Sequence, residues 1–235
     1  VTTAPVQLPL NLGHRQALGR DDFLVASCNT DATAWIDRWP DWRTLVVHGG
    51  PGCGKSHLAA VWQARAGANN LSPENLANSR PEELVRSGGV ILDEADWGFS
   101  ADPPEFDQAA LLHLYNLHLD QGGSLLFIAP TPPARWSLTL ADLGSRLRAI
   151  PAVEIGPPDE ALLAAVMVKN FADRQLEVRA EVIAFLVPRL ERSFDAYRKA
   201  VKAMDAAAMA QGRAITVPLA RQVLATSEQL RRGRL

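Results

Sequence analysis

The chain is short of several things, and each shortage narrows what it can be. It has only two cysteines, Cys28 and Cys53. Two thiols do not make the disulfide framework of a small secreted domain, so both read as free thiols of a reducing compartment. No apolar run approaches the ~20 residues that a membrane-spanning helix needs, and there is no basic-then-apolar leader of the signal-peptide kind. These shortages point to a cytoplasmic protein with no membrane role. An excess of one charge is missing too: 24 Lys+Arg stand against 26 Asp+Glu, for a net charge of −2. The chain therefore lacks the overall basic signature of a nucleic-acid binder. The imbalance is local. Residues 157–235 hold 13 basic against 9 acidic side chains, and residues 1–156 hold 11 against 17. A solvated helical surface accounts for that difference more simply than a phosphate-bearing or acidic partner does. Internal repeats and low-complexity segments are also absent. His113 and His118 lie five apart on one helical pattern, not at the i, i+4 spacing of a zinc pair, so surface or edge positions are expected for them.

What the chain does have is one phosphate-binding pattern. Gly49-Gly50-Pro51-Gly52-Cys53-Gly54-Lys55-Ser56 fits G-x-x-x-x-G-K-[ST] at every fixed position. An apolar run, Thr44 to His48, precedes it, and a helical pattern, Ser56 to Ala66, follows. The glycines allow the backbone N–H groups to curl toward phosphate oxygens, and the following helix adds its positive end. Lys55 is placed to reach the β- and γ-phosphates and the Ser56 hydroxyl to hold Mg²⁺. Gly50 to His57 are therefore the expected nucleotide-binding residues, with ADP or ATP as ligand. A second apolar run, Val90-Ile91-Leu92, ends in Asp93-Glu94. In a parallel sheet such a run carries its carboxylates to the end where ligands bind. Asp93 is expected at Mg²⁺ and Glu94 at the attacking water.

The remaining pattern gives an α/β fold, a P-loop parallel-sheet domain followed by a small all-helical lid. The segments are an extended tail over residues 1–19, the α/β base over 20–156 and the helical lid over 157–235. Gly156-Pro157-Pro158 marks the second boundary. Helices are expected over Asp31–Trp39, Pro81–Arg86, Asp107–Gln121, Ala141–Arg148, Asp159–Arg174, Arg179–Leu190, Ser193–Gln211 and Val217–Leu230. Short strands are expected within Gly67–Leu71, Ser124–Ala129 and Ala152–Ile155. Thr131, after the Ser124–Ala129 strand, is placed near the nucleotide. In the tail, Gln7-Leu8-Pro9-Leu10-Asn11-Leu12 sets three leucines on one side of a segment that Pro9 keeps extended. Taken alone, packing on its own domain is the simpler reading, and docking extended in a partner's groove is the alternative.

This order of parts resembles an AAA+ ATPase module. Gly52-Cys53-Gly54-Lys55-Ser56-His57-Leu58 resembles the phosphate-loop signature of the bacterial replication initiator DnaA and its relatives. Leu143-Gly144-Ser145-Arg146-Leu147 resembles the segment carrying that clade's arginine finger, and Gln7 to Leu12 resembles the sliding-clamp motif of the Hda-like regulators. The resemblance spans essentially the whole chain. It implies clamp docking through Gln7, Leu8, Leu10 and Leu12, a catalytic Arg146 acting on initiator-bound ATP, and DnaA as partner. It also implies a nucleotide-sensing lid arginine, Arg192 or else Arg198, and an adenine pocket from Phe23, Leu24 and the lid. Nothing resembling the initiator's helix-turn-helix follows the lid, so no sequence-specific DNA binding is expected. A role as activator of a partner's ATPase, with at most weak hydrolysis of its own, fits best. An initiation-promoting adaptor, a helicase loader and a free-standing ATPase remain open, as does homo-oligomerisation.

Overall fold

The computed structural model describes residues 23–78, 88–93, 97–99, 101–102 and 106–232. The tail motif Gln7–Leu12, the expected helix at Pro81–Arg86 and the carboxylate Glu94 lie outside these residues.

Five parallel strands form one sheet in the order β2-β3-β4-β1-β5. They are β1 (Thr44–His48), β2 (Asn69–Leu71), β3 (Val90–Asp93), β4 (Leu125–Ala129) and β5 (Ala152–Glu154). The three central strands are apolar apart from Thr44, His48 and Asp93 at their ends, because both faces of a parallel sheet are covered. Leu45, Val46 and Val47 of β1 and all of β4 are buried. On one face pack α1 (Thr30–Asp37) and α2 (Lys55–Ala66), with Trp42 stacked on Trp62 at 5.4 Å. On the other lie α3 (Pro73–Asn78), α4 (Gln108–Asp120) and α5 (Ala141–Arg148), around Trp97, Phe99 and Trp136. The sequence pattern gives no sign of α3. β4 lies between β1 and β3, pairing Val47 with Ile128 on one side and Ile128 with Asp93 on the other. Asp93 therefore ends a strand one removed from the strand that carries the glycine-rich loop.

The C-terminal helices are α6 (Glu160–Ala172), α7 (Ala180–Leu186), α8 (Phe194–Gln211) and α9 (Val217–Arg232). Their starts follow from capping. Asp159 accepts from Leu162 N at 2.7 Å and Ser193 accepts from Ala196 N at 3.2 Å, each meeting a donor the first helical turn leaves unpaired. Pro188 turns the expected end of α7 into a 3-10 turn, Val187–Arg189. The four helices enclose their own core around Leu163, Met167, Phe171, Tyr197, Val201 and Met204. No described helix is long and apolar enough to cross a membrane.

His118 departs from the expectation of a surface or edge histidine. It is fully buried, with Nε2 3.0 Å from Ser124 O. A carbonyl only accepts, so Nε2 carries the proton. The space is made by Gly123, where any Cβ would collide with the imidazole ring. Burial pushes the His118 pKa down from its ordinary value, partly opposed by the bond to Ser124. His113 is exposed, as expected. The two thiols are free.

Candidate functional site

β1 delivers the chain to Gly49 at the carboxyl end of the sheet, where ligands of open α/β folds bind. Gly52 and Gly54 then take positive φ angles, +69° and +107°. The turn ends in α2, whose first turn has no capping side chain. Its N-terminal N–H groups and positive dipole end are thus left for an anion. Lys55 closes back over the loop, and its Nζ donates to Gly49 O and Gly50 O at 2.8 Å each. The ammonium sits on two neutral carbonyls, and anionic phosphate oxygens attract it more strongly because both partners are then charged.

The lid rests directly on this loop. Phe194 N donates to Gly52 O at 3.1 Å. A Cβ on Gly52 would lie 2.7 Å from Ser193 Cβ, and one on Gly54 would lie 3.2 Å from the Phe194 ring. Glycine is required here for two reasons at once, the backbone angle and the approach of α8. This cradle, with a bare helix N-terminus behind it, fits a nucleotide's phosphates.

Between loop and lid opens a cavity of about 430 Å³. Of the residues expected at the nucleotide, Pro51 to His57 other than Cys53 line it, as do Phe23 and Leu24. Gly50 is exposed beside it and Cys53 is buried beneath the loop. The Phe23 ring meets His57 edge-on at 5.1 Å. Asn29 fastens the segment before α1: its Oδ1 accepts from Ala26 N at 2.8 Å and its Nδ2 donates to Leu24 O at 3.0 Å. Nothing in the sequence pattern singles out Asn29.

Other expected residues are placed elsewhere. Asp93 is half-buried at the end of β3 and outside the cavity lining, as is Thr131, whose carbonyl accepts from Trp136 Nε1 at 3.0 Å. Arg192 is also outside the lining; its guanidinium pairs with Glu160 at 2.5 Å on the lid's surface. Arg198 does line the cavity, in a pair with Asp195 at 3.3 Å. A Lys199 ammonium 2.5 Å from the Asp195 carboxyl holds it below its ordinary pKa. Arg146 lies away from the cavity on α5, half-exposed and paired only loosely with Asp142 at 3.2 Å.

The opposite wall holds none of the residues expected from the sequence. Val166, Lys169 and Asn170 of α6 and Asp173, its C-cap, line the cavity, spaced i, i+3, i+4, i+7. Lys169, Asn170 and Asp173 are polar positions at the end of an otherwise apolar helix, which in sequence reads as an ordinary wet face.

Comparison with known proteins agrees with this architecture. The family model "Hda, lid domain" matches residues 159–224. The chromosomal replication initiator protein DnaA of Sphingopyxis alaskensis is 27% identical over 258 residues, an alignment spanning 99% of this chain and 56% of that protein. The chain thus spans little more than half the length of this relative. Domain III of the Thermotoga maritima replication initiation protein DnaA superposes with a TM-score of 0.74 at 17% identity, covering 94% of this chain and 98% of that one. AMPPCP-bound DnaA from Aquifex aeolicus gives 0.61 at 18% identity, covering 79% and 64%. The chain is thus similar to the Hda lid family at its C-terminal end and to DnaA along nearly all of its length, on the fold of DnaA's domain III.

Proposed function

We propose that the chain binds ADP or ATP between loop and lid and serves as a regulator of replication initiation. In this reading it docks on the sliding clamp through Gln7, Leu8, Leu10 and Leu12 and turns Arg146 toward ATP held by a DnaA partner. The phosphates would sit on the N–H groups around Gly52 to Ser56, with Lys55 exchanging its two carbonyls for their oxygens. Mg²⁺, when bound, would neutralise phosphate charge, with Ser56 and Asp93 as the residues to hold it. Glu94 would orient a water. Arg198 or Arg192 would report the nucleotide to the lid.

The observation that carries the finger reading is the setting of Arg146. Its helix is anchored by Leu143 and Leu147, both fully buried, while the Arg146 side chain is exposed and does not line the chain's own cavity. The pair with Asp142 is exposed, and such pairs contribute about 0.2–1 kcal/mol, so the side chain is released at little cost. A fixed base with a loosely held tip suits delivery to a neighbouring molecule. The test is clamp-dependent hydrolysis of initiator-bound ATP. Arg146→Ala should lower the stimulated rate by roughly 10³ or more, the scale of a lost arginine finger, and leave clamp binding intact. Unchanged stimulation would sink the assignment. Removing residues 1–12 should abolish stimulation by a clamp-docked regulator and spare that of an adaptor.

A further inference from the structure

Helix α5, which carries Arg146, has no device of its own to fix where it starts. Its N-cap is Leu140, which offers no side-chain acceptor, and Leu143 stands where a capping box would place a glutamate or glutamine. At 8 residues the helix is too short to be held by its own backbone bonds. The acceptor comes from another helix. Gln108, the first residue of α4, takes both Thr139 N and Leu140 N on its Oε1 at 3.0 Å each, and its Nε2 donates to Thr139 Oγ1 at 2.9 Å. The reverse orientation of the amide would set its NH₂ against two N–H donors, so the bonding itself tells oxygen from nitrogen. Gln108 is in turn well placed, because Asp107 caps α4 by accepting from Ala109 N at 2.9 Å and Ala110 N at 3.0 Å. Leu111 and Leu114 of α4 share an apolar cluster with Leu143 and Leu147 of α5. Apolar contact of this kind is non-directional. The three bonds from one carboxamide are directional, and they set where α5 begins.

We propose that Gln108 is a positioning residue for Arg146: it fixes the start of α5 and so the place from which the guanidinium reaches a partner's ATP. At 1.5 Å per residue, Arg146 lies about 9 Å along the helix from Leu140, so a shift at the start of α5 is carried to the finger. A side chain held as loosely as Arg146 meets a phosphate reproducibly only if its helix is fixed. A displacement of about 1 Å costs on the order of a hundredfold in rate. Gln108 is outside the cavity lining and half-buried on α4, so it acts through Arg146 and not on the chain's own nucleotide. This assignment rests on the finger reading of Arg146.

The experiment is clamp-dependent hydrolysis of initiator-bound ATP, with the full chain titrated to saturation. Gln108→Ala should lower the saturating rate by about ten- to a hundredfold and leave the half-saturating concentration within about twofold. Gln108→Glu keeps acceptors for both N–H groups and should restore most of the rate. Gln108→Met, similar in length but without a strong acceptor, should match alanine and replaces it should alanine perturb folding. ADP affinity and melting temperature are measured on each variant. A wild-type saturating rate in both acceptor-free variants would overturn the assignment. So would a loss in Gln108→Glu equal to theirs, a loss that lies in the half-saturating concentration alone, or a parallel loss of ADP affinity. The finger reading fails separately, if Arg146→Ala stimulates as well as the wild type does, and that result removes both.

Discussion

Gly52→Ala tests the idea that the phosphate loop is also the seat of the lid. Two independent costs meet at this position. The first is local: an L-residue at φ +69° is in the left-handed region, which costs about 1–2 kcal/mol. The second is tertiary. A Cβ would stand 2.7 Å from Ser193 Cβ, well inside the ~3.5–4.0 Å at which carbon atoms attract. Relief requires α8 to back away. That stretches the Phe194 N–Gly52 O bond, now 3.1 Å, and disturbs the Ser193 cap. Each contributes about 1 kcal/mol. The expected loss is about 3–4 kcal/mol, or a fall in melting temperature of roughly 6–15 °C for a chain of this size.

Gly67→Ala is the matched control. Gly67 has φ +62° and nothing within 4 Å of an added Cβ, so it carries the strain without the clash. Thermal unfolding followed by circular dichroism should rank Gly52→Ala clearly below Gly67→Ala. Adding Ser193→Gly removes the atom struck, so the double variant should be more stable than two independent losses predict. If Gly52→Ala is no worse than the control, or if the two changes simply add, the lid is not seated on the loop as argued.

Three further outcomes follow from the same geometry. His118 has a folded-state pKa below its unfolded one, so the unfolded chain binds the extra proton first. Its stabilising contribution is complete above pH ~6.5 and declines as pH falls below that, with a slope of at most about 1.4 kcal/mol per pH unit. Denaturant unfolding from pH 7.5 to 5 should show this decline, and His118→Gln should flatten it; an unchanged slope would count against the buried neutral imidazole. Ser193→Ala should cost about 1 kcal/mol in urea midpoints through the lost cap. Arg198→Ala should weaken ADP binding several-fold more than Arg192→Ala, because Arg198 lines the cavity and Arg192 is tied to Glu160 outside it. The reverse ranking by calorimetry would return the sensing role to Arg192.

The parts of the fold that were legible in the sequence are those set by neighbours in the chain. β1, the loop and α2 follow from glycine spacing and an apolar run, and α5 runs over the residues expected. Asp159 and Ser193 announce their helices because capping is a three-residue matter. Illegible parts depend on what lies across the fold. Insertion of β4 between β1 and β3 comes from crossover connections, so the strand order that sets Asp93 one strand over from the loop could not be read from its position after an apolar run. The burial of His118 depends on a glycine that clears its ring, five residues on and in another element.

The lid wall carries this argument furthest. Each residue of the stripe Val166, Lys169, Asn170 and Asp173 is unremarked in sequence, because a helix with polar positions is ordinarily a helix with a wet face. Here that face is turned inward by two contacts made elsewhere, Ser193 against Gly52 and Phe194 against Gly54. The same contacts tie the lid to the atoms that would meet phosphate. A ligand that displaces Lys55 from Gly49 O and Gly50 O rearranges the loop on which α8 rests. Loop and lid therefore meet at Gly52, and a shift of the loop there would be felt by α8. A binding-competent loop with an uncoupled lid should be obtainable at that residue: Gly52→Ala should retain pyrophosphate binding more fully than it retains ADP binding, if the proposed nucleotide extends from the loop to the lid. Parallel loss of the two, measured by calorimetry below the variant's melting temperature, would mean that the loop acts alone.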